Sequence, residues 1–242
     1  MPGVVPPEPA GAAAGHGRTL VESLRQAGAV MVVRDSHSVA AHYGSAAAEL
    51  TVCLTRVGAA VRADLDVLEL TGGADWLAGA LREALGVPAL TPGAAVKAAS
   101  ALCCLVEPDR ALLIGAPHEI GRCGRLAQQQ AVRAGHSIGC ADRTATTVAL
   151  TLVGPRVRAL LAAAGMPADL PLAAVRDCTL AGGAAVLLHE RAARYLLLLD
   201  GDRAADACAE LFRAGRPLGL SFVGLDALER LAAVDRPALA IP

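Results

Sequence analysis

Arg133-Ala-Gly-His-Ser-Ile-Gly139 and Arg213-Ala-Gly-Arg-Pro-Leu-Gly219 share Arg-Ala-Gly, an aliphatic sixth residue and a closing Gly, at an offset of 80 residues. Self-similarity at a fixed period constrains architecture before any local motif does, because each copy is one supersecondary unit. The flanks of the pair agree in order. Leu68-Glu-Leu-Thr-Gly72 matches Leu150-Thr-Leu-Val-Gly154, and each precedes an Ala/Leu/Arg-rich stretch of helical pattern, residues 74–85 and 155–164. Pro155 suits a first helical turn, where its missing N–H would have no partner anyway. Gly86 and Gly165 suit the left-handed stop. Val87-Pro88 and Met166-Pro167 lead to an apolar strand, residues 96–106 in one copy and 175–189 in the other. Arg110-Ala-Leu-Leu-Ile114 and Arg194-Tyr-Leu-Leu-Leu-Leu199 then run into amphipathic helices over 118–134 and 202–214. Each copy therefore spells β-α-β-β-α-β, the split βαβ order in which two helices cover one face of a four-stranded antiparallel sheet. The expected fold is α+β, a pseudo-duplicated pair of such units side by side.

The rest of the chain divides around the repeat. Residues 1–17, rich in Pro, Gly and Ala, read as a flexible tail, with neither the basic nor the continuous apolar region of a signal peptide. Residues 18–62 read as a helical leader in two pieces, 18–27 and 45–61. The first unit occupies 63–141 and the second 142–242, ending in a helix over 224–233 with Asp226 in its first turn, where a carboxylate is favoured.

Composition narrows the function. The chain has 242 residues, long enough to bury a core without staples, and 22 Lys+Arg against 23 Asp+Glu. A net charge of -1 gives no field to gather phosphate or anionic lipid, so neither nucleic acid nor membrane is expected as a partner. One Trp, two Tyr and two Phe leave little for a base-stacking surface. Lys97 is the only lysine. No apolar run reaches the length of a spanning helix, and a cytoplasmic location is expected. The seven cysteines are odd in number and scattered through apolar contexts, which suits reduced, buried thiols. Cys103 and Cys104 should point to opposite faces of one strand.

His42-Tyr-Gly-Ser45, Glu49, Val57-Gly58 and Leu68-Glu-Leu-Thr-Gly72, followed by Ala141-Asp-Arg-Thr144, Leu150-Thr-Leu-Val-Gly-Pro155 and Gly224-Leu-Asp-Ala-Leu-Glu-Arg-Leu231, resemble the glycine-cleavage T-protein family of aminomethyltransferases over about residues 42–236. That resemblance implies a tetrahydrofolate channel and a catalytic Asp on a hairpin of the first unit. Here Cys103-Cys-Leu-Val-Glu-Pro-Asp-Arg-Ala-Leu-Leu-Ile114 turns directly from strand to strand, keeping Asp109 but not the acid-bearing insertion. The family's Arg-x-Glu after the last helix aligns with Ala232 and Val234. The short hairpin, and Leu187-Leu-His189 before a Tyr-Leu-Leu strand, are similar instead to the gamma subunit of heterotetrameric sarcosine oxidases. That likeness implies a role within an assembly whose flavin chemistry lies on other chains.

Asp142 and Thr144 are candidates to orient a ligand amine or hydroxyl where the units meet. The same Asp-x-Thr is also an ordinary turn bonding its own backbone. Tyr195 is a candidate to stack on a pterin, or else a core residue, and Asp109 is the remaining ligand-binding candidate. No catalytic residue is assigned. His37 and His42 lack the spacing and the neighbours of a metal pair, and no metal is expected. The expected function is a non-catalytic accessory subunit of a sarcosine-oxidase-type, amine-oxidising, folate-linked flavoenzyme, in a hetero-oligomer with flavoprotein subunits. The alternative is a tetrahydrofolate-dependent aminomethyl or methyl transferase of reduced size, which requires Asp109 or Asp142 at the channel. A stand-alone scaffold or small-ligand binder is a third reading.

Overall fold

The computed structural model describes residues 22, 24–34 and 36–234, so the tail expected over 1–17 lies outside the described residues. The chain opens with β1 (Val30–Arg34), β2 (His37–His42), α1 (Ala46–Thr55) and β3 (Val57–Val61). The first unit follows as β4 (Asp66–Thr71), α2 (Leu77–Leu85), β5 (Ala94–Ala98), β6 (Ala101–Glu107), β7 (Arg110–Gly115), α3 (Pro117–Arg133) and β8 (Gly139–Asp142). The second is β9 (Thr147–Val153), α4 (Val157–Ala163), β10 (Val175–Leu180), β11 (Gly183–Arg191), β12 (Arg194–Asp200), α5 (Ala204–Gly215) and β13 (Leu220–Phe222). Helix α6 (Leu225–Val234) closes the described chain.

The class is α+β as expected, but three details differ. Each long apolar strand, 96–106 and 175–189, is a hairpin, so each unit runs β-α-β-β-β-α-β with five strands. The turns fall at Ala99-Ser100 and Ala181-Gly182, with Ala99 at φ 55° and Ala181 at φ 51°. Alanine in the left-handed region is an uncommon turn residue, so the first of these turns carries no Gly or Asn signal. Second, residues 57–61 of the expected leader helix form β3, buried at all five positions. A five-residue apolar run does not by periodicity distinguish a buried strand from a helix. The leader is thus a hairpin, a helix and a strand, with helical residues also at 24–26. Third, Pro155 precedes α4 in a turn, because the helix starts at Val157.

One sheet has the order β5-β6-β7-β4-β8 and the other β10-β11-β12-β9-β3-β13. The orders correspond strand for strand, except that β3 inserts beside β9 and pairs in parallel with β13. Alternation along the strands builds four layers. In β12, Tyr195, Leu197 and Leu199 face α4 and α5, while Leu196 and Leu198 face the other sheet with Leu112, Ile114 and Cys104. In β6, Cys103 packs under α2 and α3 and Cys104 between the sheets, opposite faces as the strand reading requires. A fourth cluster joins β2, α1, β3 and α6. There the buried carboxylate of Glu49 accepts from Tyr43 N at 2.7 Å and from Gly224 N at 2.7 Å, tying the hairpin end to the start of α6. Gly224 has no room for a side chain, since a Cβ would lie 2.0 Å from Ala41 O.

The ladders give the units a common register. Ala111 faces Leu105, which faces Ala94. Tyr195 faces His189, whose N–H bonds Ala174 O. Both central hairpins close after a bulge, at Glu107–Arg110 and at Arg191–Arg194. Arg110 thus corresponds to Arg194, Glu107 to Arg191, and Ala94 to Ala174. Equivalent positions meet where the sheets touch: Ala94 bridges Ala174, Ala95 N donates to Ala173 O at 2.7 Å, and Val175 N donates to Gly93 O at 2.8 Å. Exchanging the units turns each of these bonds into the other.

Candidate functional site: two clefts between the sheets

The apolar layer between the sheets opens at both ends. One cleft, about 330 Å³, lies among β5, β6, β7, β11, β12 and the β3–β4 connection, over a floor that includes Leu65, Leu102, Ile114, Leu188 and Leu196. Its charged lining is Arg62, Lys97, Arg191, Arg194 and a single carboxylate, Glu190. The other cleft, about 590 Å³, is lined by Glu69, Asp177, Asp200 and Asp202 with only Arg110 and Arg143 as cations. The two ends of one inter-sheet space therefore carry opposite charge in a chain that is nearly neutral overall.

In the basic cleft, Arg62 donates from Nε and Nη2 to the two Asp64 oxygens, both at 2.8 Å, and from Nη1 to Thr151 Oγ1 at 3.3 Å. Burial alone would raise the Asp64 carboxyl, but the two-pronged Arg62 contact outweighs it and holds the group below its ordinary value. Arg194 donates from Nε to Glu190 at 2.9 Å. In the acidic cleft, Arg110 is enclosed by Asp177, by Glu107 at 3.4 Å and by Glu69 at 3.7 Å. Its own counter-ions saturate it.

The residues singled out in sequence line neither cleft. Asp142 Oδ1 accepts from Thr144 N at 2.9 Å, the turn geometry weighed above. Thr144 Oγ1 accepts from Val67 N at 3.0 Å, so the pair fastens the link between the units to β4. Asp109 is exposed in the β6–β7 turn, where its carbonyl accepts from Gly72 N at 3.0 Å. Tyr195 is fully buried on the helix side of its sheet, stacked on His189 with ring centroids 4.2 Å apart and planes 7° apart. His189 Nδ1 lies 2.8 Å from Leu170 O, a carbonyl that only accepts, which assigns the proton to Nδ1. Asp109, Asp142 and Tyr195 stand in three different places, so they do not together form the folate site that the T-protein resemblance implies.

Among the described residues no His/Cys/Asp/Glu group of metal-binding shape occurs. The seven cysteines are free. The expectation of burial holds for Cys53, Cys103, Cys104 and Cys123, only in part for Cys178 and Cys208, and fails for Cys140, exposed on edge strand β8, because a strand with both faces in solvent hides nothing. Burial pushes the Cys53 thiol up to about 11 and the Cys103 thiol up to about 12. Gly72 and Gly73 leave room for the Trp76 ring, since a Cβ on either would meet it, at 2.7 Å and 2.3 Å. What the sequence reading missed is the cationic set Arg62, Lys97, Arg191 and Arg194. Its one visible signal is that the chain's sole lysine belongs to it.

No family model matches the chain, and no match exists among curated proteins. Solved structures do match. The glycine cleavage system aminomethyltransferase T of Bartonella henselae superposes with TM-score 0.71 at 18% identity, covering 86% of this chain and 59% of that one. A chain of the heterotetrameric sarcosine oxidase of Corynebacterium sp. U-96 superposes with TM-score 0.55 at 19% identity, covering 74% of this chain and 95% of that one. The chain thus has a T-protein-like fold, as its motifs led one to expect, and spans 59% of the aminomethyltransferase it matches.

Proposed function

We propose that this chain is a non-catalytic accessory subunit of a cytoplasmic, sarcosine-oxidase-type, folate-linked flavoenzyme that oxidises amines. The observation that carries the reading is a likeness to a chain of a heterotetrameric sarcosine oxidase, 95% of which is matched with TM-score 0.55. Its chemistry agrees, since Asp109 and Asp142, on which a reduced folate-dependent transferase would rest, line neither cleft.

The surface offers a place for partners. Four of the six large apolar side chains exposed among the described residues, Val30, Val33, Leu54 and Val234, lie on β1, α1 and α6, elements joined around one cluster. Strand β1 pairs only with β2 among the described strands, and an open edge beside exposed apolar residues is the surface that association covers.

Co-expression with the flavin-bearing subunits of a heterotetrameric amine oxidase tests the proposal. The expected result is co-elution with flavin absorbance in one complex, lost in a Val30→Lys/Val33→Glu variant. A flavoenzyme that assembles and turns over fully without this chain would overturn it, as would tight tetrahydrofolate binding to the isolated chain by calorimetry.

A further inference from the structure

We infer that the basic cleft is a binding site for an organic carboxylate with an apolar body, seated against Arg194. The inference is independent of any assembly the chain joins. It rests on comparing two equivalent positions within one molecule. The registers place Arg110 and Arg194 at the same point of their units, the first residue of the strand after the central hairpin. Ala94 and Ala174 are equivalent, so Lys97, three residues beyond Ala94, corresponds to Asp177, and Arg191 corresponds to Glu107.

In the acidic cleft these positions supply carboxylates. Asp177 and Glu107 close on Arg110, and Glu69 adds a third. In the basic cleft the same positions supply Lys97 and Arg191, neither of which forms an ion pair among the described residues. Arg194 keeps one counter-ion, Glu190, on its Nε, and its Nη1 and Nη2 donate to no group among the described residues. A half-buried guanidinium with free, fork-shaped donors is the preferred seat of a carboxylate. The acidic cleft shows that seat filled from within, by Asp177 on Arg110.

The rest of the cleft describes the rest of the ligand. Leu65, Leu102, Ile114, Leu188 and Leu196 line it, so the body behind the carboxylate is apolar. A space of about 330 Å³ holds one or two fused rings or a short acyl chain and excludes a polymer. Arg62, fixed and neutralised by Asp64 and held by Thr151, forms a rigid wall, while exposed Lys97 and Arg191, without counter-ions among the described residues, flank the site. Few convergent polar groups over an apolar floor is the usual build of a small-molecule site.

The test uses the full chain and 1-naphthoate as probe, with 1-naphthalenemethanol for the apolar body alone and inorganic phosphate for the charge alone. Calorimetry should give one naphthoate site, with the alcohol and phosphate at least tenfold weaker. The Lys97→Asp/Arg191→Glu double variant installs the charges already present in the other cleft. It should lose naphthoate binding at least tenfold, while Arg143→Glu in the acidic cleft leaves it unchanged. As a readout on the unaltered protein, naphthoate should slow acetylation of Lys97, the only lysine, by acetic anhydride in a mass-spectrometric time course. Equal binding of naphthoate and the alcohol, retained affinity in the double variant, or unprotected Lys97 would each overturn the assignment.

Discussion

Replacing Glu49 tests the idea that one buried carboxylate closes the layer formed by β2, α1, β3 and α6. Glu49 is 6% exposed, and its two oxygens each accept one backbone N–H, from Tyr43 and from Gly224, both at 2.7 Å. Hydrogen bonds to a charged group contribute about 1.5–3 kcal/mol each, and a buried donor left unpaired costs about 1–3 kcal/mol. In Glu49→Gln the carbonyl oxygen still accepts one N–H, but the amide NH2 then opposes the other, so the expected loss is about 2–3 kcal/mol. Glu49→Ala strips both donors and leaves a void, for about 3–5 kcal/mol. For a chain of this size about 2–4 °C of Tm accompanies each kcal/mol, so the Gln variant should melt roughly 4–12 °C lower. Urea titration measures the loss, and hydrogen exchange locates it: the Gly224 and Tyr43 amides should lose protection before the sheets do. A Gln variant within about 0.5 kcal/mol of the parent, the spread of neutral surface changes, would refute the reasoning, as would unchanged exchange at Gly224.

Three further outcomes are expected. Gly154 sits at φ 126°, and a Cβ there would lie 2.3 Å from Arg56 O, so Gly154→Ala should cost about 2–4 kcal/mol by strain and displacement, read from the denaturation midpoint. A timed iodoacetamide reaction followed by mass spectrometry should modify exposed Cys140 first. Buried Cys53 and Cys103, held up at about 11 and 12, should follow only on unfolding; early labelling of Cys103 would contradict its burial. Asp64 has a lowered carboxyl in the folded protein, so its contribution is present above the ordinary Asp range and is lost as pH falls through the folded value. Asp64→Asn should therefore lower stability at pH 7 and flatten the fall in stability below the ordinary Asp range, and an unchanged acid limb would count against the Arg62 pairing.

Much of the fold was legible because duplicated patterns are long. Helices at 117–133 and 204–215, the Gly86 stop at φ 62° and the split of Cys103 and Cys104 between faces all follow from local rules. The turn at Ala99-Ser100 was not legible, because Ala99 occupies a left-handed position that the residue type does not announce. Strand β3 was hidden because Val57-Gly-Ala-Ala-Val61 is an apolar run whose partners, β9 and β13, lie far along the chain. The cleft residues were hidden for the same reason. Arg62, Lys97, Arg191 and Arg194 are spread over more than half the sequence and meet only through sheet register, whereas Asp142 and Thr144 stood out as a motif that serves a local turn.

The contact at Ala94 and Ala174, with its reciprocal bonds, maps onto itself when the units trade places. Isologous contacts of this kind join the halves of symmetric homodimers. Two identical polypeptides meeting in this way would have to present the same side chains at both openings, so any change at one mouth would be copied at the other. Covalent continuity removes that obligation. With both halves on one chain, Asp177 can neutralise its arginine while Lys97, at the matching site, leaves the opposite arginine to an outside guest.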